Sequence, residues 1–154
     1  MTPVRIPIPG PDGLPEEAYA VALSTLPGVG PRTLRALLEE TTPRAAWEAL
    51  VEGTTRLPAF RRPASGSASA PSRVRGQART VDVAAVWAAH VDAGVDVCTL
   101  GEPGYPAALA DDPEAPAVLF SVGTPRVLDA APRVAIVGTR SATRYGLGVA
   151  AQLG

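Results

Sequence analysis

The sequence contains no lysine and no asparagine, one cysteine, one histidine and few aromatic residues (5%). Each absence removes a class of chemistry. Without lysine there is no Walker-type phosphate loop, whose chemistry needs that ammonium group. The lone Cys98 excludes an internal disulfide and a multi-cysteine metal site. No run of eighteen apolar residues occurs and the N-terminus MTPVRIPIPGPDG has no apolar h-region, so neither a spanning helix nor a signal peptide is expected. These features predict a soluble, cytoplasmic protein with no membrane association. The net charge of −1 excludes a polycation that coats nucleic acid by bulk charge.

What is present is 154 residues, rich in alanine, valine, proline and glycine, with arginine as the only basic residue besides His90. Such a composition points to GC-rich coding, which discounts arginine richness as a functional sign. The charge is unevenly spread. Residues 1–80 hold 10 Arg and 7 acids, residues 81–154 hold 4 Arg and 8 acids, and Gly53 to Thr80 holds six Arg and no acid.

The chain divides into four stretches. Residues 1–13 are Pro/Gly-rich and read as a flexible arm. Residues 14–60 read as a helical unit. Its first helix carries Tyr19, Ala22, Leu23 and Leu26 at helical spacing and ends at Pro27-Gly28-Val29-Gly30; Pro31 opens a second helix with Leu34, Leu37 and Leu38. Thr42-Pro43 reads as cap and first position of a third helix, with Ala46, Trp47, Leu50 and Val51 inward. Residues 61–79 (RRPASGSASAPSRVRGQAR) read as an Arg/Ser/Pro-rich linker. From 80 on, Thr80 is expected to cap a helix bearing Val83, Val86, Trp87, His90 and Val91 and ending at Gly94. Strands are expected over Val95 to Leu100 and Ala117 to Val122. Arg133 to Val137 is a compact apolar run, as in a central parallel strand. One such strand needs parallel partners, so the chain is expected to be a piece of a longer protein.

Two stretches suit a phosphate. Gly28-Val29-Gly30-Pro31-Arg32 lies between two short helices. Its glycines leave backbone amides open, the next helix supplies its positive dipole end, and Arg32 adds charge. This resembles a helix-hairpin-helix motif, whose family binds the DNA backbone without reading sequence; an equally good reading is that the glycines only turn the chain. The second stretch is Gly138-Thr139-Arg140-Ser141-Ala142-Thr143-Arg144-Tyr145-Gly146. Here a strand delivers a loop to its carboxyl end and a helix follows, the edge where open α/β sheets bind ligands. Gly138 allows close approach, Thr139, Ser141 and Thr143 offer hydroxyls, Arg140 can hold a phosphate bidentately, and Tyr145 is the aromatic best placed to stack a base. No dinucleotide fingerprint is present.

VAIVGTRSATRYG, preceded by Tyr105-Pro106, Asp112-Pro113, Pro116-Ala117-Val118-Leu119-Phe120 and Gly123, resembles the DNA-processing protein A (DprA) family at the entry to its Rossmann-like domain. The LPGVGPRTLRALL region resembles that family's N-terminal helical domain. The resemblance implies an α/β protein: an all-α helix-hairpin-helix or SAM-like domain, then over 80–154 the truncated beginning of a Rossmann-like parallel-sheet domain. It also implies single-stranded DNA binding, loading of a RecA-type recombinase, and a role in natural transformation. No catalysis or cofactor is implied, and a homodimer would form through parts this chain does not carry. By resemblance, Gly138, Thr139, Arg140, Ser141, Thr143, Tyr145 and Gly146 belong to the DNA phosphate site. The alternatives are a phosphoribohydrolase-type enzyme on a related fold and a helix-hairpin-helix DNA-backbone module. His90 and Cys98 read as packing residues, Asp111-Asp112 and Glu114 as a capped turn rather than a metal site, and Trp47 and Trp87 as core anchors.

Overall fold

The first helix, α1 (Glu16–Thr25), opens on two glutamates that suit the positive end of its dipole, then runs through alanines. A computed structural model describes residues 12–55, 70–123, 125–130, 132 and 137–153. In it α1 is the central helix. Glu17 through Leu23 are all buried, where the sequence spacing predicted one inward stripe. The reason is the alanines: Ala18, Ala20 and Ala22 let neighbours close on several sides.

The chain then reverses. Leu26 and Val29 turn into the core, Gly28 takes φ +96°, and Gly30 sits at the N-cap of α2 (Pro31–Glu40). α2 buries Leu34 and Leu37. α3 (Pro43–Glu52) starts as expected: Thr42 Oγ1 accepts from the Ala45 amide at 3.3 Å and Pro43 stands in the first turn. Ala46, Trp47 and Leu50 face inward, and Gly53, in the left-handed conformation, ends the helix.

The arm and linker readings change where the structure describes them. Residues 1–11 and 61–69 lie outside the described residues. Asp12 is anchored: Arg44 Nη1 donates to it at 2.9 Å and the Tyr19 hydroxyl donates to its other oxygen. Ala70–Ala78 is a helix, α4, not a linker. Its Val74 and Ala78, one turn apart, are buried in the common core, and Arg79 Nε donates to the Val51 carbonyl at 3.0 Å. Tertiary docking overrides a composition that alone would leave this stretch solvated.

α5 (Val83–Asp92) is capped by Asp82, whose Oδ1 accepts from the Ala85 amide at 3.0 Å. The expected cap, Thr80, instead turns back to donate to the Gln77 carbonyl at 2.8 Å, closing α4. At the other end Gly94 (φ +65°) donates to Val91 and Val95 to His90, a Schellman closure. β1 (Asp96–Thr99) follows, then a turn, α6 (Ala107–Ala110), and β2 (Val118–Ser121). A 3-10 turn (Pro125–Asp129) and α7 (Arg144–Leu153) complete the described elements.

β1 and β2 pair antiparallel, with Asp96 opposite Ser121 and Thr99 opposite Val118. This is the only sheet among the described residues. The expected parallel strand over Arg133 to Val137 falls, but for Val137, outside them. One core crosses the predicted boundary near residue 80: Leu23, Leu37, Trp47 and Val74 share it with Ala117 and Val118. Among the described residues, no helix is long and apolar enough to cross a membrane and no cluster of His, Cys, Asp and Glu could hold a metal ion.

Candidate nucleic-acid interface

The 137–146 stretch is an exposed loop running into α7. Two local hydrogen bonds shape it. The Ser141 amide donates to Thr139 Oγ1 at 3.2 Å, and the Gly146 amide donates to Thr143 Oγ1 at 3.2 Å. Thr143 therefore acts as the N-cap of α7, and its carbonyl accepts from the Leu147 amide at 3.0 Å. Both threonine oxygens accept here, so their hydroxyl protons remain to be given to a ligand. Helix geometry leaves the Arg144 and Tyr145 amides without an intrahelical acceptor. Arg140 and Arg144 are exposed beside them, and Tyr145 is 82% exposed. A Cβ on Gly138 would meet nothing within 4 Å, so packing within the described fold does not ask for glycine there.

The hairpin is built differently. Gly28 is explained by its positive φ and by Val74 of α4, whose Cγ2 would lie 3.3 Å from a Cβ at that position. Val29 is a core residue. Gly30 is an open N-cap, and Arg32 Nη2 is 2.7 Å from Glu114 Oε1, with both side chains largely exposed. Arg35, which sequence reasoning did not single out, donates through Nη1 to the Pro113 carbonyl at 2.7 Å and to Ala115 at 3.1 Å. These partners lie some eighty residues along the chain, beyond the reach of any spacing argument. The hairpin and the Pro113–Ala115 turn enclose a groove of about 500 Å³. Among the described residues, no hydrogen bond or ion pair joins this hairpin to the 137–146 loop.

His90, Asp112 and Trp47 sit in the packing and capping roles read for them. The His90 ring bonds the Val86 carbonyl through Nδ1 at 2.8 Å and lies 5.7 Å from the Phe120 ring. Asp112 Oδ1 accepts from the Glu114 amide at 2.7 Å, closing the expected capped turn. Trp47 is buried in the core as expected, whereas Trp87, expected as a core anchor, is half-buried and lies outside that core, because α5 buries none of its residues. The Tyr-Pro pair of the family resemblance is structural: Tyr105 donates its hydroxyl to the Pro116 carbonyl at 2.8 Å, Pro106 is fully buried, and burial raises the Tyr105 pKa.

The family model described as DNA recombination-mediator protein A matches residues 96–154, from the first residue of β1 through α7. No curated protein and no solved structure matches the chain. Residues 96–154 thus carry the sequence pattern of the DNA recombination-mediator protein A family, the DprA family that the Tyr105-Pro106 and Gly138-Thr139-Arg140 motifs resemble.

Proposed function

We propose that this chain serves a non-enzymatic mediator of DNA recombination that binds single-stranded DNA and delivers it to a RecA-type recombinase. The observation that carries the reading is the exposed Gly138-Thr139-Arg140 loop leading into the capped start of α7, inside the family-matched segment. Its chemistry suits a phosphate. Arg140 offers a bidentate fork, the first amides of α7 point out at the dipole's positive end, and Gly138 leaves room for a sugar-phosphate chain. Tyr145, exposed on the first turn, gives a base a face to stack on. Ser141, Thr143 and Gly146 shape the loop. Arg32 adds a weaker contact, since its exposed pair with Glu114 is worth about 1 kcal/mol or less and a phosphate can replace it. Gly28 and Val29 are accounted for by packing and take no part.

Arg140→Ala tests this. On a fluorescent oligo-dT the variant should bind several-fold more weakly at low salt. The slope of log K against log salt should be smaller by about 0.7, the value for one lost phosphate contact on a single strand. Unchanged affinity and slope would remove Arg140 from the site and leave the loop without its principal charge.

A further inference from the structure

We infer that α4 presents a second surface for single-stranded DNA, with the sugar-phosphate backbone lying across Arg73, Arg75 and Arg79; the choice of ligand rests on the function proposed above. The first support is segregation of charge. The 28 residues from Gly53 to Thr80 carry six Arg and no acid, while the other 126 carry eight Arg and fifteen acids. A coding bias toward arginine explains why the cations are arginines. It does not explain why the carboxylates are missing from this one stretch.

The second support is geometry. Val74 and Ala78 fix one side of α4 in the core. At about 100° per residue, Gly76 then lies opposite that stripe, with Arg73 and Arg79 about 60° to either side and Arg75 at the margin. All four are exposed. Arg73 and Arg79 are therefore on the outward side of a docked helix and Arg75 on its flank, none of them on a free tether. Two of them reach the end of α3. Arg79 Nε is held by its bond to the Val51 carbonyl, and Arg75 lies across Gly53, close enough that a Cβ there would collide with its Nη1. Both sit at the negative end of α3, a position that favours cations. Arg73 also engages a group of the protein. A guanidinium carries five N–H donors, so the single bond of Arg79 to Val51 leaves most of its fork for phosphate oxygens, and immobilising the stem lowers the entropy lost on binding. Of the acids bordering the stretch, Asp82 caps α5 and only Glu52 lies beside the α3 terminus. Such a surface suits backbone binding without sequence preference.

Gly76 gives a test that does not disturb the arginines. A Cβ there meets nothing within 4 Å, so Gly76→Glu and Gly76→Gln place side chains of one shape and different charge at the centre of the surface. On fluorescent oligo-dT at ~50 mM salt, the Glu variant should bind about threefold or more weakly than the Gln variant, with helix content by circular dichroism unchanged between them. Arg73→Gln with Arg79→Gln should lower the salt slope by about 1.4, two contacts at about 0.7 each. Equal binding of the Glu and Gln variants overturns the inference. If Arg140→Ala weakens binding while the Gly76 pair is equal, α4 alone is excluded. If the Gly76 pair separates while Arg140→Ala is neutral, the loop assignment falls and α4 stands. No binding by the unsubstituted chain at that salt overturns both.

Discussion

Val74→Ala asks whether α4 is part of the fold. Val74 is 5% exposed, so nearly its whole side chain is withdrawn from water. Removing two methyl groups at about 0.8 kcal/mol each forfeits about 1.6 kcal/mol of transfer energy. The space left against Gly28 and the α3 side of the core adds up to about 1 kcal/mol, depending on how far α4 can settle. Alanine's higher helix propensity offsets about 0.5 kcal/mol. The net expectation is a loss of about 2 kcal/mol. In urea, with a slope of about 2 kcal/mol per molar, the midpoint should fall by about 1 M. Trp47, buried in the same core, gives the fluorescence signal. Gly76→Ala serves as the counterpart: its new methyl points into open space, so it should stabilise by up to about 1 kcal/mol through the backbone alone. A Val74→Ala midpoint within error of the unsubstituted chain would refute the reasoning, because it would mean that residues 70–78 are solvated and contribute no packing.

The remaining predictions concern the hairpin and the N-terminal anchor. Gly28→Ala should destabilise by about 1–3 kcal/mol in a thermal melt, since φ is +96° and the methyl meets Val74, while Gly30→Ala, at φ −79° with open space around it, should be close to neutral; equal melts would show that the turn imposes no constraint. Burial first, and then the hydrogen bond donated to Asp12, push the Tyr19 hydroxyl up to about 12 from 10.0. The folded state therefore keeps this proton where the unfolded state loses it. The contribution is complete below pH 10 and declines as the pH rises toward 12, so urea stability should fall across that window, and Tyr19→Phe should flatten the fall. An identical alkaline slope in the Phe variant would assign the titration to another group.

The first three helices were legible because each carried independent local marks. α3 had Thr42 and Pro43 at its start and a clear inward stripe, and the structure uses all of them. α4 was not legible. Pro71, Gly76 and three arginines surround only two inward residues, Val74 and Ala78, too few to set a period, and what makes the segment helical is the surface it docks on. The start of α5 offers two acceptors two residues apart, and Asp82 caps it because Thr80 is taken up in closing α4, a long-range outcome that the local sequence does not carry. The strands at 96–99 and 118–121 were readable as strands, yet their antiparallel pairing depends on how the intervening turn folds, which alternation along either strand does not encode. At the candidate interface, exposure and the Gly-Thr-Arg order were visible in advance. The bonds of Arg32 and Arg35 to the 113–115 turn were not, because residues so far apart in sequence meet only through the common core.

That common core has a consequence for inheritance. The family pattern begins at Asp96, but Ala117 and Val118, inside it, are covered by side chains that precede it, and Arg35 holds the Pro113 and Ala115 carbonyls. The stretch by which relatives are recognised is therefore smaller than the body that folds. A gene fusion that moved residues 96–154 alone would uncover an apolar face and strand the carbonyls of the 113–115 turn. Substitutions at Leu23, Trp47 and Val74 should consequently be correlated across evolution with those at Val118, and a functional chimera has to carry α1 to α4 along with the segment they cover.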